Sequence, residues 1–586
     1  MRQWMVAAKK ADFYAIAEKF HVDPVVARII RNREVIGEKN IRIYLGGNLS
    51  DLSDPHQMKD MDRLVEILAQ KIRKQVHIRI IGDYDVDGVT SSHLFLTALR
   101  RVGAKVDVVI PHRIQDGYGL SLHLLQQAKE DGVDTILTCD NGIAAIDEIA
   151  WAKAQKMTVL VTDHHAVPFE EHEGRRTEKK SLADAVVNPH QQDCGYPYKE
   201  LCGAGVAWNV IRVLYENYDM DKREAEDLLD FVAMATVCDV MSLTGENRIL
   251  VKEGLKRIRH TKNIGLQALM QACNVQPENI SAYHFGYVLG PCVNATGRLD
   301  TARHALRLFE TGQETEAEEI ARDLVDLNQE RKELTLQGVE MAKKLCEEGG
   351  YENDPVLVLF LPDVHESIAG LIAGRIREMY NRPVFVLTRG EEGVKGSGRS
   401  TENYSMYENM CGCAELFTKF GGHPMAAGLS LPEENVEKFR RKINENCPLT
   451  VEEVCPDIHI DMAMPVGYAS TELVHQFALL EPFGKDNPSP LFADRNLSIS
   501  RMWLIGKNRN VLRMSVLSEY GQPVPVIFFG DVETLFAYFT EKFGQEEVEN
   551  ALHGRKNRIL FSIVYTAKID FYQGNENLQL EMKYYR

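Results

Sequence analysis

Val76-His-Ile-Arg-Ile-Ile-Gly-Asp83-Tyr-Asp85-Val-Asp87-Gly88 is the stretch on which the fold turns. Its first six residues, Val76 to Ile81, form an apolar run of strand length, and the run leads straight into three carboxylates. Outward from it, short apolar runs alternate with amphipathic stretches. Ser91 to Val102 reads as a helix closed by Gly103, Val106 to Ile110 as a strand, and Leu120 to Lys129 as a helix. Thr135–Thr138 and Thr158–Thr162 read as further strands, with a helix from Ile143 to Gln155 between them. This βαβα order predicts a parallel sheet with helices on both faces and right-handed crossovers. Ligands of such sheets bind beyond the carboxyl ends of the strands.

Beyond about residue 270 the alternation stops. Glu314 to Glu348 is one helical pattern, about 50 Å long at 1.5 Å per residue, and reads as a spacer between lobes. A second α/β unit follows, with strands near Val356–Phe360 and Pro383–Leu387 around a helix from Ser367 to Tyr380, ending near Pro448. The remainder reads as strands Leu497–Ile505, Val511–Leu517, Val524–Phe529, Ile559–Ala567 and Leu578–Tyr584, with Val532–Phe543 as its only helix. That order suggests an OB-like β-barrel, with an unrelated β-sandwich as the alternative. The expected fold is thus α/β: a parallel-sheet domain (46–270), a helical connector (271–348), a smaller α/β accessory domain (349–450) and a C-terminal barrel (455–586), preceded by an N-terminal segment (1–45).

A chain of 586 residues exceeds one hydrophobic core, and 44% hydrophobic with 26% charged residues is ordinary for globular protein. No apolar run approaches the roughly 18 residues that span a bilayer, and MRQWMVAAKKADFY lacks a signal peptide's apolar stretch. The eleven cysteines follow no disulfide framework, and Cys411-Gly-Cys413 has no second pair to complete a zinc site. Reduced thiols in a cytoplasmic protein are expected. A net charge of −17 argues against binding polyanions over the whole surface. Any nucleic-acid contact should therefore be a local groove, with metal cations offsetting carboxylates at its base.

Four clusters carry the chemistry. Asp83, Asp85 and Asp87 follow the first strand, Asp140-Asn-Gly the third, Asp163-His164-His165 the fourth, and Asp239 the helix Leu228–Ala235. Converging on one rim, these carboxylates and two imidazoles would repel one another without cations between them. Oxygen ligands with one or two histidines suit Mn²⁺ or Mg²⁺, and two such ions clamp the attacking and leaving oxygens of phosphoryl displacement. A turn or helix cap explains any one cluster equally well, but not all four on one sheet. In the barrel, Lys507, Arg509 and Arg513 lie on or beside one hairpin with Trp503 close behind, a basic and aromatic patch of the kind that binds single strands. The competing reading has Trp503 filling the barrel core.

The motifs GDYDVDG, TCDNG, VTDHH and ATVCDV, in that order, resemble the signature motifs of the DHH phosphoesterase superfamily. The resemblance implies metal ligation by Asp85, Asp87, Asp140, His164 and Asp239, with Asp83 a further ligand. It makes Asp140 the bridge between two ions and turns His165 toward the substrate phosphate. Asp163 is then an anchor for the histidine. Gly396-Ser-Gly-Arg-Ser400 and Gly421-Gly-His-Pro-Met-Ala-Ala-Gly428 resemble the superfamily's accessory domain. Glycines there let backbone amides approach phosphate, and Arg399 can grip one bidentately. Arg113, Arg298, Ser397, Arg399, Gly421, Gly422 and His423 are the expected substrate contacts.

Within the superfamily the chain is most similar to the RecJ-like exonucleases, through Pro111–Gly119, Gly203–Ala207, Gly290–Arg298, Glu481–Gly484 and Asn487-Pro488. Departures are His365-Glu-Ser-Ile-Ala-Gly370 where Gly-Val-x-Gly is usual, Cys292 and Thr296, and a charged insertion from Pro168 to Ser181. The resemblance implies a two-metal 5′→3′ exonuclease that degrades single-stranded DNA to nucleoside 5′-monophosphates in repair and recombination. It further implies a monomer without membrane contact, and a single-strand-binding protein or a helicase as protein partner. The rivals are an oligoribonuclease or cyclic-dinucleotide phosphodiesterase, which generally lack the barrel, and a non-catalytic single-strand-binding scaffold, which would have lost motif carboxylates.

Overall fold

The computed structural model describes residues 3–586 except 114–115, 117–118, 173–174, 391–392, 507–508 and 573. The chain divides into two compact units, Asn48–Pro456 and, separately, the residues up to Gly47 together with Asp457–Arg586.

In the first unit five parallel strands lie in the spatial order Val106–Val109, Ile78–Ile81, Thr135–Cys139, Thr158–Thr162 and Ala185–Val187. The strands are apolar on both faces because both are covered. Ile80, Leu137 and Leu160 share a core with helices Val86–Arg101, Gly203–Asn217 and Leu229–Cys238. Ile81, Ile136 and Val161 share another with helices Leu122–Glu130 and Ile146–Ala154. The first strand in sequence is second in space, so the topology reverses between Ile78–Ile81 and Thr135–Cys139 and opens a crevice at their carboxyl ends. The helix expected from Ser91 begins at Val86, because Asp85 caps it by accepting from the Gly88 amide at 3.0 Å. The second half of the acidic motif, Asp85 to Gly88, is itself the cap and first helical turn. Two features escaped the sequence reading: the edge strand Ala185–Val187 is only three residues long, and the charged insertion folds as a hairpin of Phe169–His172 and Arg175–Glu178.

Helix Glu314–Glu348 spans 35 residues and does more than separate lobes. Its first half buries Ala317, Ile320, Ala321 and Leu324 in the catalytic core, and its second half buries Val339, Ala342 and Cys346 in the accessory core. The accessory sheet has five strands in the order Lys419–His423, Ala426–Leu431, Gly393–Arg399, Val384–Gly390 and Leu357–Phe360, and only the last pair is parallel. The first three were not expected as strands, since glycine weakens a strand pattern. Here it permits close packing: a Cβ on Gly396 would lie 2.4 Å from Leu387 Cδ2, and one on Gly398 2.3 Å from Met406 Sδ.

In the second unit Phe492–Ile505, Val511–Leu517, Pro523–Phe528, Asn575–Tyr585 and Leu560–Tyr572 pair in that order, and Leu560–Tyr572 pairs back onto Phe492–Ile505 to close a barrel. Val532–Phe543 is not its only helix. Gly544 (φ +94°) ends it, and Gln545–Leu552 begins at once, while Thr471–Phe477 precedes the strands. The N-terminal helices Pro24–Asn32 and Glu38–Gly46 bury Val26, Ile29, Ile30 and Tyr44 in the barrel's own hydrophobic cluster. Among the described residues no helix is long and apolar enough to cross a membrane.

Arg33 ties this N-terminal segment to the barrel, bonding Asp461 through both guanidinium arms at 2.7 and 3.1 Å, with side-chain exposures of 9% and 7%. Asp461→Ala strands the Arg33 charge in the interior and should destabilise the second unit by roughly 3–5 kcal/mol. Hydrogen–deuterium exchange reads this locally. Amides of Val511–Leu517 should exchange far faster while those of Thr158–Thr162 keep their protection, and unchanged barrel protection would show that the pair is not structural.

Candidate active site

Asp83 and Asp140 follow the two strands that flank the switch point, and each is 2% exposed. Asp140 adopts φ +61°, a left-handed conformation costly for a residue with a Cβ. The space around them is defined by glycines. A Cβ on Gly203 would lie 2.6 Å from Asp140 Cβ, and one on Gly88 2.4 Å from the Asp83 carbonyl. Asp87, 1% exposed, accepts from the amides of Gly203 at 2.6 Å and Ala204 at 2.7 Å, at the N-terminus of helix Gly203–Asn217. Amides at helix N-termini thus donate to both Asp85 and Asp87. Asp239 caps the C-terminus of helix Leu229–Cys238.

His164 Nε2 lies at the centre, 3.1 Å from Asp140 Oδ1 and 3.6 Å from both Asp87 Oδ2 and Asp239 Oδ2. Burial holds this imidazole below its ordinary pKa, so it is neutral and offers a lone pair. Asp163 is turned away from ligation. Its Oδ1 accepts from the amides of His164 and His165 and from His165 Nδ1 at 2.7, 3.0 and 2.8 Å, and its Oδ2 from the Ile143 amide at 2.9 Å. Burial opposes the charge of His165, but the Asp163 carboxylate outweighs it and raises the imidazole to about 9.

Three sets of side chains bring ligand atoms within 4.8 Å of one another: Asp83, Asp85 and Asp140; Asp87, His164 and Asp239; and Asp140, His164 and His165. Burial, then mutual repulsion, raises Asp83, Asp85 and Asp140 above the usual carboxylate range. Asp83 Oδ1 and His164 Nε2 are buried without a hydrogen-bond partner among the described residues. Oxygens with one neutral imidazole, crowded and partly unpartnered, fit a pair of hard divalent cations. Asp140 belongs to two of the three sets.

Beside the carboxylates a cleft of about 430 Å³ is lined by Tyr84, Arg113, Ser367, Lys395, Ser397, Lys419 and Gly421, among others. Arg113 lies over the Tyr84 ring at 4.8 Å. Arg298 donates to the Ser367 carbonyl at 2.7 Å, and burial together with Arg113, Arg331 and Arg399 lowers it to about 10. Arg399, against Gly370, is lowered by burial and then by Arg113, and it makes no ion pair among the described residues. These arginines are crowded as the carboxylates are, with the opposite sign. Of the expected substrate residues, Arg113, Ser397 and Gly421 line the cleft, with Arg298 and Arg399 beside it. Gly422 and His423 are exposed on the same strand and do not line it. Ser397 and Arg399 sit within a strand, not a phosphate-binding loop. Tyr84, Lys395, Lys419 and Arg331 were missed; Tyr84 lay inside the acidic motif, whereas the lysines gave no signal before the sheet register was known.

In the barrel Trp503 is half-buried, with Arg501 and Arg513 at 5.7 and 5.8 Å from its ring centroid. Met502, Leu512 and Met514 fill the interior instead, so the core-filling reading of Trp503 does not hold. Arg501 was missed; it lies two residues before Trp503, on the same face of the strand. Arg509 is exposed, and Lys507 lies outside the described residues.

Comparison with known proteins agrees with this geometry. Residues 77–236 match the DHH family N-terminal domain, 353–447 the DHHA1 domain and 460–584 the RecJ OB domain. The single-stranded-DNA-specific exonuclease RecJ of Haemophilus influenzae is 32% identical over 96% of this chain and 96% of its own. That of Bacillus subtilis is 33% identical over 87% of this chain, which spans 63% of that protein's length. The crystal structure of RecJ in complex with Mn²⁺ from Thermus thermophilus is 25% identical and superposes with a TM-score of 0.79, covering 100% of this chain and 79% of that one. A crystal structure of exonuclease RecJ bound to manganese is 32% identical over 66% of this chain and 94% of that one, with a TM-score of 0.57. In motif order, domain content and fold, the chain belongs to the RecJ family of DHH phosphoesterases.

Proposed function

We propose that this protein is a divalent-metal-dependent exonuclease that removes nucleotides from the 5′ end of single-stranded DNA and releases nucleoside 5′-monophosphates. The observation that carries the reading is the grouping of Asp83 and Asp85 with Asp140, and of Asp87, Asp140 and Asp239 with His164, next to a cleft crowded with arginines. The first five and His164 would hold Mn²⁺ or Mg²⁺, which supplies Lewis-acid stabilisation of phosphate and activation of water. The protein's own groups position the strand. His165, protonated through Asp163, offers a cationic donor to the scissile phosphate. Arg113 and Ser397 meet the terminal phosphate in the cleft, and Arg298 and Arg399 supply positive charge beside it. Trp503, Arg509 and Arg513 of the barrel, with Arg501 joining them, offer rings and cations to bases and phosphates of a single strand. Eleven cysteines, all free, suit a reducing cytoplasm.

Asp140→Ala should abolish Mn²⁺-supported cleavage, because one carboxylate serves two ligand sets, while Asp163→Asn should retain measurable activity. Near-normal turnover by Asp140→Ala on end-labelled single strands would refute the two-metal reading. Arg399→Lys keeps the charge but loses the planar fork. It should slow digestion of 5′-phosphorylated strands more than 5′-hydroxyl strands, and equal slowing on both would dismiss a terminal-phosphate pocket. In the barrel, point variants are the sound test, since truncation near residue 456 would expose Val26, Ile29 and Ile30. Trp503→Ala with Arg513→Ala should raise KM for long strands and flatten the salt dependence of binding. An unchanged salt slope would exclude the barrel as a DNA-binding surface.

A further inference from the structure

Asp239 forms an accessible edge of the carboxylate cluster, with 25% of its side chain exposed against 0% for Asp87 and 3% for Asp140. Its neighbour Val240 is 63% exposed and takes φ +54°, a strained conformation for a β-branched residue. Against this edge packs the π-helical turn Phe285–Leu289. Cys238 Sγ donates to the Phe285 carbonyl at 3.3 Å, and Gly290 approaches so closely that an added Cβ would lie 2.3 Å from that sulfur. The segment displays Tyr283 and Tyr287, 62% and 72% exposed, with rings stacked at 5.1 Å and 24°.

The chain then continues as helix Gly290–Leu299, which is docked on the acidic motif. Asn294 Oδ1 accepts from the Val86 amide at 3.2 Å, and a Cβ on Gly297 would lie 2.3 Å from the Tyr84 carbonyl. From Tyr287 to Arg298 is about 16 Å along a helical path. One continuous element therefore carries an aromatic pair at its start and, at its end, an arginine bonded to Ser367 of the cleft wall, with the metal ligands beside it. Two large rings that stack on each other and stay mostly exposed, with only the edge contact of Tyr283 on His284 beside them, offer faces to a planar partner.

We propose that Tyr283 and Tyr287 form a stacking platform for unpaired bases of the strand still to be cut, holding it at the Asp239 edge of the metal centre. The inference rests on the single-strand nuclease reading and extends it to positioning residues outside the cleft and the barrel. Base–aromatic stacking is worth roughly 1–3 kcal/mol per base and is indifferent to sequence, because every base has a π-face. Such a platform suits an enzyme that must accept each new terminus in turn.

The test uses the full-length protein, the double variants Tyr283→Ala/Tyr287→Ala and Tyr283→Phe/Tyr287→Phe, and oligonucleotides with 2-aminopurine at single positions two to six from the 5′ end. With chelator present to prevent cleavage, the wild type and the Phe variant should quench fluorescence at one or two adjacent positions, and the Ala variant should not. With Mn²⁺, the ratio of kcat/KM on oligonucleotide to that on dinucleotide should fall at least about tenfold in the Ala variant and stay near wild type in the Phe variant. Quenching that survives in the Ala variant, a proportional loss on both substrates, or a Phe variant as impaired as the Ala variant each overturns the platform. A wild type that cleaves neither substrate refutes the nuclease reading instead, and the quenching still decides whether the tyrosines bind bases.

Discussion

Like charges forced together underlie this structure. Asp83, Asp85, Asp87, Asp140 and Asp239 converge where the sheet reverses its winding, and burial with mutual repulsion pushes the carboxyls of Asp83, Asp85 and Asp140 toward protonation. The fold limits that cost with dipoles before any cation arrives. The amides of Gly203 and Ala204 hold Asp87, and the Gly88 amide holds Asp85. Asp163 anchors the backbone of both histidines and the His165 ring while keeping its own oxygens occupied. Gly88 and Gly203 are fixed by the same constraint, since a methyl at either would displace Asp83 or Asp140. What remains uncompensated is the surplus negative charge that a pair of metal ions removes.

The cleft repeats this logic with the sign reversed. Arg298 and Arg399 are lowered by burial and by the neighbouring charges, Arg113 among them, and make no ion pair among the described residues, which leaves a concentrated positive field for a polyanion. A chain of net charge −17 can therefore bind a nucleic-acid strand, because the favourable field is local and the acidic remainder discourages adsorption elsewhere. The helix Glu314–Glu348, rooted in both cores, joins the lobe that carries the carboxylates to the lobe that carries Ser397 and Arg399.

Much of this was legible in the sequence because the decisive residues are local. A strand, a turn and a carboxylate occupy a few consecutive positions, so Asp83, Asp140 and Asp163-His164 declare themselves by their place after apolar runs. Features set by distant packing were not legible. Gly393–Arg399 and Lys419–His423 look like loops until the neighbours that require glycine are known. The N-terminal helices gave no sign that their apolar faces complete the barrel core. Lys395 and Lys419 reach the cleft only through the register of an antiparallel sheet. Tyr283 and Tyr287 sit at helical spacing, a pattern that reads equally well as a buried face, and only their exposure distinguishes them.

If the carboxylate cluster is one site for two divalent ions coupled through Asp140, the coupling is measurable on the protein alone. Equilibrium binding of Mn²⁺ to the full-length protein, followed by the loss of the free-ion paramagnetic resonance signal, addresses it without any substrate. Two ions should bind per chain, and tight binding of both should be lost together when Asp140 is replaced by Asn while circular dichroism shows the fold retained. A single ion per chain, or two ions held as tightly after the Asp140→Asn change, would contradict the coupled two-ion site.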